Sequence, residues 1–222
     1  VRPGPLEVKA PRFSPSIAAA AFREPSVRLA SLGYFGHMWE LFAMWTWVPI
    51  FLLASFMAAG QADPASAALV AFAVVAAGGV GSVAAGALAD RLGRTTTTIA
   101  AMAISGSSAV VAGFLFGAPV AVVTVVALVW GASVVADSAQ FSTAVSELAP
   151  PGTAGSALAV QTAVGFTLTG VTILGVGLLD PTGGDGWRLA WIVLALGPVV
   201  GIAAMWRLRS RPDAPKMANG HR

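Results

Sequence analysis

The stretch GYFGHMWELFAMWTWVP, residues 33–49, puts His37 and Glu40 one helical turn apart and Tyr34 a turn before them. An imidazole and a carboxylate at that spacing can exchange a proton or hold a cationic group. Glu40 is the candidate carrier of the proton or cation, with His37 and Tyr34 as the groups that tune it. Trp45 and Trp47 follow on the same segment as a candidate aromatic surface for a substrate, although Trp47, close to Pro49, equally suits an anchor at a membrane interface. Gln161 is the strongest remaining polar candidate, ahead of Gln140 and Thr162, because it interrupts an otherwise apolar run. A zinc site does not fit: these stretches hold one histidine, and the chain has no cysteine. The sequence shows no nucleophile–base set and no phosphate loop, so neither an enzyme nor a cofactor is expected.

The elements that must carry these residues follow from composition. Hydrophobic residues make up 56% of the 222 residues and charged residues 10%. A soluble domain has about 25% charged residues. The mean hydropathy is +0.78, and such a chain cannot supply the polar surface that a core in water requires. Six apolar stretches, roughly 31–56, 65–88, 95–116, 119–140, 156–179 and 187–205, each have about the 20 residues that a helix needs to cross some 30 Å of hydrocarbon. They lack the alternation of membrane strands, which leaves helices to satisfy the backbone. The expected fold is an all-α membrane protein of six transmembrane helices. At about 1.5 Å per residue from Ser31, His37 lies about 9 Å deep and Glu40 about 14 Å, near the midplane. An ionisable group at that depth is costly against lipid, so Glu40 should face a cavity or another helix.

Charge gives the orientation. Of the thirteen Lys and Arg residues, all but Arg188 fall before the first span, between the second and third, or after the sixth. Both termini are therefore expected in the cytoplasm, most simply at the plasma (inner) membrane. The same topology accounts for the net charge of +3, and a nucleic-acid partner is not expected. Residues 1–27 read as a Pro-rich, basic cytoplasmic linker with a short helix near 17–22, residues 28–206 as the transmembrane domain, and residues 207–222 as a basic tail without structure beyond Arg211. Gly78, Ser82 and Gly86 recur every four residues, flanked by Gly81 and Ala85, a face that lets helices approach closely.

The most specific motif is GALADRLGR, residues 86–94, between the second and third spans. It resembles the loop signature of the major facilitator superfamily, Gly-x-x-x-Asp-Arg-x-Gly-Arg, with Gly86, Asp90, Arg91, Gly93 and Arg94 at the matching places. ELAPPGTAGSA, residues 147–157, resembles that family's Glu-x-x-Pro-x-x-x-Arg-Gly element through Glu147, Pro150 and Gly155, but Ala154 stands where Arg is usual. Gly86 would allow close helix approach and Gly93 a tight turn. Asp90 would accept bonds from a helix N-terminus, and Asp137 would pair with Arg94 or Arg91. Together with Glu147 these residues read as a conformational latch, the alternative being charges solvated at the membrane surface.

The resemblance spans residues 28–206 and half of that family's usual twelve helices. With the basic lead-in taken as its central loop, the chain resembles the C-terminal six-helix half, two three-helix repeats of inverted topology. That implies secondary active transport of a small solute, by symport or antiport and with proton coupling through Glu40. The rival for Glu40 and His37 is a hydrogen-bonded peg that joins their helix to the missing half. Since the chain begins with Val, an N-terminal half is expected upstream. The alternatives are a half-transporter that pairs with a second copy of itself, and a non-transporting membrane scaffold. Apart from Arg188 at the edge of the last stretch, the spans hold no Lys or Arg, which leans towards a neutral or cationic solute.

Overall fold

A computed structural model describes residues 14–61 and 63–221. Its helices are α1 (Pro15–Ala21), α2 (Pro25–Ala58), α3 (Pro64–Leu92), α4 (Arg94–Phe114), α5 (Val120–Ala136), α6 (Ser138–Leu148), α7 (Ala154–Leu178) and α8 (Gly183–Arg209), followed by two single 3-10 turns, Ala214–Lys216 and Ala218–Gly220. No strand occurs among the described residues. Six segments are long and apolar enough to cross a membrane: α2, α3, α4, Val120–Leu148, α7 and α8. The first thirteen residues of the expected linker lie outside the described region.

Local chemistry sets the helix boundaries. Pro15, Pro25 and Pro64 begin α1, α2 and α3 at a position where a missing N–H costs nothing. Asp63 caps α3, accepting from the N–H groups of Ala65 and Ser66 at 3.1 Å each. Gly93 separates α3 from α4 with φ +91°, a conformation that a side chain would disfavour, so the chain reverses without a longer loop.

α2 packs on α7 and α8, α3 lies on α5, and α4 fills the space between α5 and α8. We call the end where Pro25, Arg94, Leu148 and Arg209 gather the basal end. Glycine brings backbones into direct contact at two crossings. A Cβ on Gly36 would stand 2.4 Å from the Gly197 carbonyl oxygen, and one on Gly131 would stand 2.0 Å from that of Val74. Gly78 and Gly81 pack against α5 in the expected way, whereas a Cβ on Gly86 would meet nothing within 4 Å. Gly86 therefore makes no close approach inside this bundle, because the small-residue face turns away from α5 by that point.

Two apolar cores result. In one, Trp130 stacks edge-on to Trp191 at 5.0 Å, beside Trp187 and Phe51. The other, nearer the basal end, joins Tyr34, Met38, Phe141 and Met205. α3 and α7 are the least buried spans.

Two segments differ from the sequence expectation. The fourth span does not stop at Gln140 but continues through α6 to Leu148, because Phe141, Ala144, Val145 and Leu148 bury one face of a helix whose other face is polar. The tail beyond Arg211 is also folded, with Ala214 and Met217 fully buried in the basal core. Window hydropathy misses both, since each hides its few apolar residues among polar ones.

Packing at the crossings predicts unequal costs for adding a single methyl. Gly131→Ala should lower stability by about 1–3 kcal/mol, while Gly170→Ala, with open space around its Cβ, should leave it unchanged or raise it by up to about 1 kcal/mol. Reversible unfolding in mixed micelles measures both, and equal costs would contradict the backbone contact.

Candidate functional site

Glu40 sits near the middle of α2 and is 1% exposed. One carboxylate oxygen, Oε1, accepts a hydrogen bond from Trp130 Nε1 of α5 at 2.7 Å, and the other accepts one from Ser105 Oγ of α4 at 2.9 Å. The residue faces neighbouring helices of its own bundle, and both of its ligands are neutral donors. A carboxylate without water or lipid partners requires such donors, because leaving it bare would cost the full desolvation of the group.

One turn towards the basal end, His37 Nδ1 lies 2.9 Å from Asp137 Oδ1, both side chains being almost fully enclosed. The two atoms are close without the alignment of a hydrogen bond, and neither Asp137 Oδ1 nor His37 Nε2 has a hydrogen-bond partner among the described residues. Asp137 stands at the junction of α5 and α6, where the fourth span is interrupted. It was expected at the cytoplasmic end of that span, as a partner of Arg94 or Arg91. The continuation of the span through α6 leaves it deep in the bundle beside His37 instead. Phe141 lies 5.6 Å from the His37 ring and 6.3 Å from that of Tyr34. Tyr34 in turn fits against Gly165, where a Cβ would stand 2.4 Å from its ring.

The remaining candidates are dispersed. Gln161 is wholly buried on α7 with neither amide atom partnered, and the buried Nε1 of Trp45 is likewise without a partner. Trp47 Nε1 donates to the Ile173 carbonyl at 3.2 Å, which ties α2 to α7. Thr162 is exposed. Among the described residues no three metal-ligating side chains converge.

A second polar group occupies the basal end. Arg94 grips Glu147 with two parallel bonds, Nε to Oε2 at 2.8 Å and Nη2 to Oε1 at 2.7 Å, and its Nη1 donates to Gln140 Oε1 at 2.8 Å. This fork geometry is specific to arginine. It brings together Arg94 and Glu147 of the expected latch, and it adds Gln140. The side chains of Asp90 and Arg91 are exposed and make no hydrogen bond or ion pair with the described residues.

Sequence reasoning missed Ser105 and Trp130. Depth offered a signal: Ser105 lies eleven residues from the start of α4 and Trp130 ten from the start of α5, about 15 Å in each case and level with Glu40. Compared with protein-family models and with curated proteins, the chain matches none.

The bond from Trp130 should be separable from the bulk of its ring. Trp130→Phe is expected to destabilise the protein by about 1–2 kcal/mol more than Trp187→Phe, since the Trp187 Nε1 is buried with no partner to lose. Unfolding of the two variants in mixed micelles gives the difference, and no difference would mean that the contact adds nothing.

Proposed function

We propose that the chain is the C-terminal half of a secondary active transporter of the major facilitator type, moving a small solute by alternating access with proton coupling through Glu40. The observation that carries this reading is the acid–imidazole–acid set of Glu40, His37 and Asp137, enclosed midway through the bundle at the break in the fourth span. Ionisable side chains so placed are the usual carriers of protons through membranes, and an interrupted helix beside them is a common feature of transporter sites.

Helix packing supports the repeat architecture. Exchanging α2 with α5–α6, α3 with α7 and α4 with α8 turns each main neighbour pair into another: α3 on α5 becomes α7 on α2, α2 on α8 becomes α5 on α4, and α4 on α8 maps onto itself. The two triplets run in opposite directions, as inverted repeats require. The Arg94–Glu147 clasp supports the resemblance of the two loop motifs by joining them across the basal end. In this reading the basal end is cytoplasmic. The least buried spans, α3 and α7, face an N-terminal half or a second copy. Among the described residues no Lys or Arg bonds to Glu40, His37 or Asp137, which favours a neutral or cationic solute.

A scaffold reading draws on a different feature: Glu40 already has both oxygens satisfied, so it can serve as a clasp that fixes α2 to α4 and α5. Uptake into vesicles under an imposed pH gradient separates the two. Glu40→Gln should abolish the response of uptake to the gradient while the protein remains folded. Uptake indifferent both to the substitution and to the gradient would reject proton coupling and leave the clasp.

A further inference from the structure

Beyond Arg209 the chain turns back across the basal end of the bundle. Ser26 Oγ of α2 donates to Asp213 Oδ2 at 2.7 Å, and Arg211 Nη2 lies 3.8 Å from the same oxygen. Ala214 and Met217 insert into the basal core with Val27, Ala30, Phe141, Val145 and Leu208, all of them fully buried. The Ala218 N–H donates to Glu147 Oε2 at 3.3 Å, the oxygen that also receives Arg94 Nε. This segment therefore covers the apolar layer whose innermost ring, Phe141, packs on His37.

The way the segment is held marks it as detachable. Its two turns are closed by three-residue-spaced bonds alone, Lys216 N–H to the Asp213 carbonyl and Met217 N–H to that of Ala214, then Gly220 N–H to that of Met217 and His221 N–H to that of Ala218, at 2.9–3.1 Å, a 3-10 pattern rather than an α-helical ladder. Ala218 sits at φ +45°, a left-handed conformation that alanine adopts at a cost and that persists only while neighbours enforce it. Short 3-10 turns and local strain are the properties of a unit that opens before the rest of the fold.

We propose that residues 211–221 form a detachable plug that closes the basal end of the bundle over the Phe141–His37 layer, with Glu147, shared between Arg94 and the tail, as its catch. A shift of α6 relative to α4 or to the tail moves one carboxylate that both partners need. By linkage, whatever loosens the Arg94–Glu147 clasp also loosens the tail, and the reverse holds equally. The proposal rests on the transport reading only for what passes when the plug lifts; docking and release can be measured without a solute.

The absence of native cysteine allows single-cysteine probes in the full chain, reconstituted in lipid nanodiscs and treated with a bulky water-soluble maleimide. Cysteine at position 217 (Met217→Cys) should label about ten-fold more slowly than cysteine at the exposed position 221 (His221→Cys), and adding Ser26→Ala or Glu147→Gln should restore most of that factor, as loss of one such bond implies. Val145→Cys, beneath the tail, should gain about ten-fold in labelling when the chain is cut after Ser210. Equal labelling at positions 217 and 221 would overturn docking. Continued protection of position 145 in a truncated chain that stays monodisperse would overturn the seal. Where truncation disrupts the fold, the full-length Ser26→Ala/Asp213→Asn variant decides: a faster reaction at 217 with none at 145 also rejects the seal. A plug that passes these tests in a protein without gradient-driven uptake stands, while the transport reading fails.

Discussion

Hydrocarbon offers no hydrogen bonds, so a carboxylate carried to the middle of a membrane span must find its partners on other helices. Glu40 meets this demand with the indole N–H of Trp130 and the hydroxyl of Ser105. Three spans are thereby fixed in register at one depth, since neither donor can slide by a turn without leaving the acid bare. The apolar packing around them accommodates that register. Trp130 is oriented by its bond to Glu40 and at the same time packs nearly perpendicular to Trp191, which carries the aromatic core across to α8.

Close backbone approach is the second half of the same arrangement. Short side chains such as Ser105 can reach a carboxylate on a neighbouring helix only if the backbones come near enough. Gly36 against Gly197 and Gly106 against Pro198 bring α2 and α4 close to α8, and Gly131 against Val74 brings α5 onto α3. Where the glycines face outward, as at Gly79, Gly86 and Gly170, none of the described residues comes within 4 Å of a Cβ placed there. In lipid, small residues left open on a helix face are the ones available to a partner helix.

Six spans were legible in the sequence because crossing hydrocarbon imposes a length and an apolarity that few side chains can disguise. The enclosed position of Glu40 was legible for the same reason, through the cost of exposing an acid to lipid. The partners of the charges were not. Asp137 lies three residues before Gln140, and hydropathy alone ended the span there; only the buried stripe of Phe141, Ala144, Val145 and Leu148 extends the helix and carries Asp137 inward to His37. Ser105 and Trp130 carry no charge and occur among many residues of their kind, so their role depends on three helices meeting at one depth. The tail was illegible because two apolar side chains, Ala214 and Met217, decide its path, while its basic composition describes only the surface that they leave outside.

α6 links the two polar layers. Its preceding residue, Asp137, faces His37 on α2, while Gln140 and Glu147 face Arg94 on α4. At about 100° per residue these three positions fall within a quarter-turn of one another, so a single side of a short helix holds both contacts. The one-residue break at Asp137, with Gln140 N–H bonded to its carbonyl at 2.9 Å, interrupts the regular helix between α5 and α6. A tilt about that point would carry Glu147 through a larger arc than Asp137, simply because Glu147 is ten residues farther from the pivot. Such a tilt would move the basal clasp farther than the buried pair, and the tail, bonded to the same carboxylate, lies at the end of that lever.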